Sequence, residues 1–226
     1  MISGSTKNKL VGVVLAAGFS SRMGKWKMEL SIKGRPVIYY TIRPMLEVCE
    51  SVIVVGGYSI ERLSALLEKI CLPGELQREK IKLVKNENFQ KGMFSSVKKG
   101  LAAADGNSNG IFVMPGDMPF VSQDTYKKLA DFMNQETGGK DVIFPTTLLS
   151  IEVDGMRWKK GHPVLLSNRV RELIMQNDDD AVFREVLWPF SFDLCPVCDE
   201  GICLDIDDDL DFEKALSYME KNYKYS

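Results

Sequence analysis

Short apolar runs alternate with longer stretches of helical periodicity over the first 145 residues. This alternation restricts the fold more than any other feature of the sequence. Buried strands are predicted at residues 10–15, 51–55, 81–84, 111–114 and 141–145. Each run is short, apolar and bounded by turn-forming residues, as the strands of a parallel sheet are. A helix is predicted after each of the first four strands, which requires a mostly parallel sheet with helices on both faces.

The pattern changes after Thr146, where the predicted elements become shorter and less regular. These are a β-hairpin at 151–158 with Asp154-Gly155 at its turn, an extended stretch at 161–166, helices at 167–176 and 180–187, strands at 190–194 and 202–206, and a last helix at 209–221. No internal repeat, low-complexity tract or linker interrupts the chain. Residues 1–226 are therefore expected to form a single domain with one core.

Composition and charge exclude several classes of protein. The chain has 226 residues, of which 45% are apolar and 27% charged, and its formal net charge is −2. A binder of nucleic acid needs a basic excess that this chain lacks. No apolar run approaches the roughly 20 residues of a membrane helix, and residues 1–9 have no signal-peptide core. We therefore expect a cytoplasmic protein, with no nucleic acid and no membrane among its partners and its five cysteines reduced.

The segment at 15–27 follows the first strand and has the composition of a phosphate-binding loop. Three small residues at 16–18 allow the backbone to approach a ligand, and Arg22, Lys25 and Lys27 supply positive charge. Exposed backbone N–H groups and nearby cations suit a polyphosphate. The spacing matches neither a Walker loop nor Gly-x-Gly-x-x-Gly. An ordinary strand-to-helix turn with solvated basic residues is the alternative interpretation.

Asp117 lies in a Pro-Gly-Asp-Met-Pro turn directly after a predicted buried strand. In parallel sheets, ligands bind beyond the carboxyl ends of the strands. Mg²⁺ prefers one or two carboxylates together with phosphate oxygens and water. The sequence therefore predicts that Asp117 binds Mg²⁺ beside the phosphate loop, with a helix cap or turn cap as the alternative.

A second group of carboxylates occupies 205–211. Alternation along the predicted strand at 202–206 would place Asp205 and Asp207 on one face. The same carboxylates could instead cap the last helix and favour its dipole. Which of the two, if either, reaches a metal is left open by the pattern.

Three cysteines, Cys195, Cys198 and Cys203, form a turn that resembles half of a zinc site. A structural zinc site needs four ligands, and the other two cysteines lie far away in predicted helical regions. A redox Cys-x-x-Cys also requires a helix start, which is missing here. Buried or half-buried thiols are therefore expected.

Four segments, in order along the chain, resemble the MobA-like nucleotidyltransferases. They read Leu-Ala-Ala-Gly-x-Ser-x-Arg-Met-Gly-x-x-Lys at 15–27, Asn-x₅-Gly-Met-x-Ser-Ser at 86–96, Gly-Asp-Met-Pro at 116–119 and Gly-His-Pro-Val at 161–164. The Leu-Ala-Ala-Gly version is most similar to the molybdenum cofactor cytidylyltransferases. Two departures are Glu87, where the family usually has Pro, and Asp-Asp-Leu-Asp at 208–211 instead of Thr-Pro-Glu-Asp.

The resemblance implies an α/β fold with three layers, α/β/α and Rossmann-like, whose mostly parallel sheet has an antiparallel strand and a small β-hairpin. It also implies roles for individual residues. The implied catalytic residues are Arg22, Lys27 and Asp117. The implied nucleotide-binding residues are Leu15, Ala16, Ala17, Gly18, Phe19, Ser20, Asn86, Gly92, Ser95 and Ser96. His162 is implied on the acceptor side, and Asp117 with Asp207 as ligands of Mg²⁺.

The implied reaction transfers a nucleotidyl group from an NTP to a phosphorylated acceptor and releases pyrophosphate. Ala17, at the third position of the first motif, favours CTP, because guanylyl-transferring relatives carry Gly there. Molybdopterin is the implied acceptor, and a molybdoenzyme or its maturation chaperone is the implied protein partner. Two alternatives are a CTP- or UTP-dependent transferase acting on a sugar or alcohol phosphate, and a non-catalytic nucleotide-binding maturation factor.

Overall fold

The computed structural model describes residues 9–19, 23–71, 76–134, 141–152 and 155–222. The strands are β1 (Leu10–Ala16), β2 (Ser31–Ile32), β3 (Arg35–Pro36), β4 (Ser51–Gly56), β5 (Ile81–Lys85), β6 (Gly110–Pro115), β7 (Val142–Glu152), β8 (Gly155–Lys160), β9 (Val164–Ser167) and β10 (Phe192–Pro196). The α-helices are α1 (Val37–Leu46), α2 (Ile60–Ile70), α3 (Met93–Ala103), α4 (Gln123–Asn134), α5 (Asn168–Met175), α6 (Phe183–Val186) and α7 (Asp209–Asn222).

Within the described ranges, the main sheet has the strand order β10-β7-β9-β6-β1-β4-β5, with β8 paired to β7. The pairs β1–β4, β1–β6, β4–β5 and β7–β10 are parallel. Strand β9 is antiparallel to both of its neighbours, β6 and β7, and β8 is antiparallel to β7. The predicted mostly parallel sheet with an antiparallel strand and a hairpin is confirmed.

The sheet lies between two layers of helices, because its strands are apolar on both faces. In β1, Leu10, Val14 and Ala16 enter one apolar cluster, while Val11 and Val13 enter the other. Helices α1, α2 and α4 cover the first face, and α3, α5 and α6 cover the second. A third cluster joins α7 to the start of α1. The predicted three-layer architecture is confirmed.

The predicted strand at 202–206 is wrong. A 3₁₀ turn occupies Glu200–Cys203 instead. Asp199 determines this conformation, since one of its carboxylate oxygens accepts a hydrogen bond from the Gly201 N–H at 2.9 Å. The other oxygen accepts hydrogen bonds from hydroxyl groups at the start of α4. The turn is therefore tied to a helix rather than paired in the sheet.

Two further elements differ in length from the prediction. β7 continues to Glu152 rather than ending at 145, because it pairs with β8 along the predicted hairpin. The predicted turn residue Asp154 lies outside the described residues. Pro44, predicted to bend or shorten the first helix, lies inside α1, which ends two residues later at Leu46.

Candidate active site

A cavity of about 400 Å³ opens at the carboxyl edge of the parallel strands, where the loops after β1, β5 and β6 meet. It is lined by Leu15, Ala16, Ala17, Gly18, Phe19, Trp26, Lys27, Met28, Phe89, Gln90, Gly92, Met93, Ser96, Pro115 and Asp117. Three of the segments with family-like motifs therefore contribute to one cavity. The structure brings together all the nucleotide-binding residues predicted at 15–19, together with Gly92 and Ser96.

Lys27 and Asp117 line one end of this cavity, and Asp207, outside the lining, contacts Lys27; we call these three residues the charged end. The Lys27 ammonium donates hydrogen bonds to Asp117 Oδ2 at 3.2 Å and to Asp207 Oδ1 at 2.6 Å. Lys27 is buried, at the start of a 3₁₀ turn that covers Lys27–Glu29. The two carboxylates, 90 residues apart in sequence, are therefore within reach of a single cation.

Burial and charge pairing act against each other at the charged end. Burial by itself would lower the pKa of Lys27, but the hydrogen bonds and charges of Asp207 and Asp117 outweigh it, so the Lys27 pKa is raised. Burial raises the pKa of Asp117, and Lys27 offsets part of that effect. The lysine therefore remains an ammonium ion that neutralises negative charge in this part of the cavity.

Backbone hydrogen bonds fix the loop that carries Asp117. The Gly116 N–H donates to the Leu15 carbonyl at 2.9 Å, which joins the loop after β6 to the end of β1. The Thr41 hydroxyl donates to the Gly116 carbonyl at 3.0 Å and is itself buried. Asp117 therefore stands on a loop that is held from two sides.

Asp207 reaches the site although its segment is not a strand. The Ile206 N–H donates to the Asp117 carbonyl at 3.0 Å, and the Ile206 side chain is buried against α7. These contacts place the next residue, Asp207, beside Lys27. Asp205 is exposed, but its charge is close enough to raise the pKa of Asp117. Of the two aspartates left open by the sequence, Asp207 makes the direct contact with Lys27.

Arg62 is a residue of the site that sequence reasoning missed. Its guanidinium forms two hydrogen bonds with the Glu29 carboxylate, one of them 2.5 Å long, and lies 5.3 Å from the centre of the Trp26 ring. Trp26 precedes the turn that begins with Lys27, and Glu29 is the last residue of that turn. Arg62 therefore links α2 to the segment that presents the catalytic lysine candidate. No local pattern indicated this contact, which spans 33 residues.

The 86–96 segment forms an internal hydrogen-bond network behind the cavity. The Asn86 amide donates to the hydroxyls of Ser95 and Ser96 at 2.8 and 3.0 Å, and all three side chains are buried. The Ser95 hydroxyl donates to the carbonyls of Asn88 and Gly92. Asn86 and Ser95 thus shape the loop, and Ser96 also lines the cavity. Direct nucleotide contact by Asn86 and Ser95 remains a prediction.

Gly92 has a backbone conformation that requires glycine. Its φ is +110° and its ψ is −179°, a region that other residues enter only with strain. Helix α3 begins at the next residue, and Gly92, as its N-cap residue, has no side chain that could cap the first turn. The first N–H groups of a helix have no partner within the helix, and those of α3 lie beside a residue that lines the cavity.

His162 lies at the same edge of the sheet, because β9 runs antiparallel and starts next to the end of β6. Its backbone N–H donates to the Ile202 carbonyl at 3.0 Å. Burial lowers the pKa of His162, partly offset by the Val113 backbone and the charge of Asp205. Ring atom Nδ1 is buried and has no hydrogen-bond partner within the described part of the chain. His162 does not line the cavity itself, so its acceptor role remains a prediction.

Two predicted site residues, Ser20 and Arg22, lie outside the described residues. In the ranges that the structure describes, no three His, Cys, Asp or Glu side chains form a group suited to a metal ion. The described cysteines are all free thiols, which agrees with the expectation of buried or half-buried thiols for Cys195 and Cys203, whereas Cys198 is exposed. None of the described helices has both the length and the apolar character needed to cross a bilayer.

Asp117 and Asp207 are nevertheless a chemically suitable pair for Mg²⁺, which commonly takes one or two protein carboxylates and completes its shell with phosphate and water. An ammonium ion within reach of both oxygens indicates a place where positive charge is stabilised. A phosphate chain at this end would meet Lys27 and the loop backbone at 15–18. The arrangement can therefore bind a polyphosphate and stabilise charge that develops on it.

Comparison with known proteins finds nucleotidyltransferases by both sequence and fold. The molybdenum cofactor cytidylyltransferase of Escherichia coli is 28% identical over 203 residues, which cover 90% of this chain and 93% of the relative. The 2-C-methyl-D-erythritol 4-phosphate cytidylyltransferase of Dictyoglomus thermophilum is 30% identical over 57% of this chain and 54% of its own length. A nucleotidyl transferase structure from Methanothermobacter superposes with a TM-score of 0.71 at 19% identity, covering 95% of this chain and 99% of that one.

The family model described as the MobA-like NTP transferase domain matches residues 12–188. This range begins inside β1 and includes Lys27, Asp117 and His162, while Asp207 lies beyond it. The match covers well over half of the chain, and its fold and enzyme class agree with the sequence prediction. The chain therefore belongs to the MobA-like NTP transferase domain family and is a nucleotidyltransferase.

Proposed function

We propose that this enzyme transfers CMP from CTP to the phosphate of molybdopterin and releases pyrophosphate, with residues 1–226 acting as one nucleotidyltransferase domain. The observation that carries the proposal is the contact of Lys27 with both Asp117 and Asp207 at the edge of the phosphate loop. It joins cationic and anionic groups from three distant segments at the point where a triphosphate would enter.

The reaction needs no protein nucleophile, because the acceptor phosphate is already ionised. An oxygen of that phosphate attacks the α-phosphorus of CTP, and the bond from the α-phosphorus to the bridging oxygen of the β-phosphate breaks. The electron pair leaves with pyrophosphate. Lys27 stabilises the negative charge on the α-phosphate and on the leaving group. We propose the same role for Arg22, on the basis of its position in the first motif.

We further propose that Asp117 and Asp207 hold Mg²⁺ during the reaction. When bound, Mg²⁺ neutralises phosphate charge and orients the triphosphate. The donor set supports this, since two carboxylates suffice for a magnesium ion that keeps phosphate and water ligands. Lys27 holds the two carboxylates close together in the described structure.

The choice of CTP rests on Ala17 in the Leu-Ala-Ala-Gly motif and on two relatives that are both cytidylyltransferases. Molybdopterin is supported by the relative that aligns over 90% of the chain. We propose that His162 lies on the acceptor side and that the product passes to a molybdoenzyme or its maturation chaperone. The Dictyoglomus relative favours a second candidate acceptor, a sugar or alcohol phosphate.

The test is pyrophosphate release with Mg²⁺, each of the four NTPs in turn, and molybdopterin or 2-C-methyl-D-erythritol 4-phosphate as acceptor. We expect release with CTP and molybdopterin, and its loss in Asp117→Asn. Asp124→Asn is the matched control, because Asp124 is an exposed aspartate whose described partner is Lys127 on the same helix. Release with another NTP or only with the erythritol phosphate would replace the proposed substrate. No release from any combination would refute the proposed reaction.

A further inference from the structure

We propose that Phe19, held by Tyr58 and Phe89, forms a platform on which the nucleobase of the bound NTP stacks. This inference rests on the proposed nucleotidyl transfer and names how the same site holds the base. The three rings are called the aromatic end of the cavity. Phe19 and Phe89 line the cavity, and Tyr58 supports Phe19 from outside it.

The aromatic end is assembled from three adjacent parallel strands. Phe19 follows β1, Tyr58 follows β4 and Phe89 follows β5, and these strands are neighbours in the order β1-β4-β5. The carboxyl ends of parallel strands meet at one edge of a sheet, so the three turns converge. The ring centre of Phe19 lies 4.8 Å from that of Tyr58 and 5.1 Å from that of Phe89, both at tilted angles.

Backbone contacts hold these turns together. The Tyr58 N–H donates to the Ala17 carbonyl at 3.3 Å. A Cβ atom at Gly57 would lie 2.7 Å from the Phe89 Cβ and 2.8 Å from the Ala17 oxygen, so only glycine allows this approach. The position of Phe19 therefore depends on the packing of all three turns and not on its own loop alone.

The rings are more exposed than a purely structural cluster would be. Phe19 is 47% exposed and Tyr58 is 57% exposed, and the neighbouring Met93 is 54% exposed. Large apolar side chains grouped at the mouth of a cavity mark a surface that a ligand covers. A flat aromatic ligand suits them, because a base can stack on the exposed face of an aromatic side chain.

Polar groups beside the aromatic end indicate a ligand with a hydrogen-bonding edge. Ser96 lines the cavity with its hydroxyl-bearing side chain, together with Gly92 and Met93 at the start of α3, where backbone N–H groups have no partner within the helix. A nucleobase combines an aromatic face with such an edge. The acceptor side is expected near His162, across β6 from these turns, so the base is the occupant that this end of the cavity favours.

The test compares the binding of CTP and of inorganic tripolyphosphate, both with Mg²⁺, by isothermal titration calorimetry. Phe19→Ala should weaken CTP binding about 10- to 100-fold, the usual effect of removing a base-stacking ring. It should leave tripolyphosphate binding unchanged, because that ligand has no base. Phe19→Tyr should restore CTP binding, and Tyr58→Ala should weaken it less than Phe19→Ala does. Trp188→Ala is the control, an aromatic residue that is 77% exposed and does not line the cavity.

Unchanged CTP affinity in Phe19→Ala would overturn the platform. An equal loss of affinity for CTP and tripolyphosphate would also overturn it, because that result would indicate a distorted phosphate loop. A wild-type protein that binds no NTP would overturn the platform and the proposed reaction together. Phe19-dependent CTP binding without pyrophosphate release would uphold the platform and refute the reaction, so the two failures are distinguishable. Thermal unfolding of each variant shows whether it is folded.

Discussion

Backbone hydrogen bonds tie the loops at both ends of the cavity, but the charged end centres on a buried lysine, whereas the aromatic end centres on exposed side chains. Gly116 and Ile206 each donate an N–H to a neighbouring segment, which fixes the two carboxylates beside a buried lysine. Phe19 and Tyr58 are about half exposed and touch at a tilted angle. Under the proposed function, this difference predicts a well-fixed environment for the reacting phosphates and a more adaptable surface for the base.

The largest expected effect comes from removing the cation at the charged end. Lys27→Ala should lower the rate of pyrophosphate release by about 10²- to 10³-fold, as the loss of a group that stabilises transition-state charge does. Steady-state kinetics with CTP measures this effect. Lys25→Ala is the matched control, because Lys25 is an exposed lysine in the same loop. Equal losses in the two variants would contradict the special position of Lys27.

The next largest effect on activity is expected at Asp207, and it should distinguish Asp207 from the neighbouring Asp205. Asp207→Asn should reduce activity about 10- to 100-fold, because it removes a carboxylate that Lys27 contacts and that we propose as a metal ligand. Asp205→Asn should change activity by about twofold or less, since Asp205 is exposed and acts only through its charge. Titration with Mg²⁺ at fixed CTP tests this pair. A larger loss in the Asp205 variant would reverse the assignment.

A smaller effect, on stability, is expected at Gly92, where the 86–92 segment leads into α3. Gly92→Ala should lower the free energy of unfolding by about 1–3 kcal/mol, because alanine is strained at φ +110° and ψ −179°. CTP affinity should fall with it, measured by calorimetry alongside denaturant unfolding. Gly106→Ala serves for comparison, since Gly106 has no positive φ and a Cβ atom there would have no neighbour closer than 4.0 Å. Matching stabilities in the two variants would disprove the strain argument.

The smallest effect concerns Arg62, which supports the charged end from α2. Arg62→Ala should lower turnover about three- to tenfold while CTP binding changes less. The change leaves the turn that carries Lys27 less well positioned but removes no group that is proposed to contact CTP. Glu29→Gln should have a similar effect, and the double variant should be no worse than either single one. Lys214→Ala, which breaks a surface ion pair on α7, should leave kcat unchanged. Additive losses in the double variant would show that Arg62 and Glu29 act independently.

Local sequence patterns predicted the parallel strands and the loop motifs well, because each depends on neighbouring residues. The positions of Lys27 and Asp117 beside one cavity followed from the rule that ligands bind at the carboxyl ends of parallel strands. The error at 202–206 has a physical cause: Asp199 binds the start of α4, a contact 74 to 77 residues away that converts an apolar run into a 3₁₀ turn.

Other parts of the site could not be predicted, because they depend on the strand order. The strand–helix repeat predicts parallel strands but does not say that β4 lies between β1 and β5, which is what brings Tyr58 to Phe19. Arg62 lies on an amphipathic helix and looks like an ordinary solvated cation until its partner Glu29 is known. Ligand contact by Asn86 and Ser95 stays a prediction, and their described side-chain hydrogen bonds lie within the 86–96 segment.

The reversed direction of β9 divides the active edge of the sheet into two parts that are built differently. On one side, β5, β4, β1 and β6 all end at this edge and supply the proposed nucleotide contacts. On the other side, β9 begins there, so the segment that carries His162 enters the sheet at this edge instead of leaving it. We expect substitutions at residues 161–163, which lead into β9, to change acceptor preference while keeping the preferred nucleotide, as measured by pyrophosphate release with each acceptor.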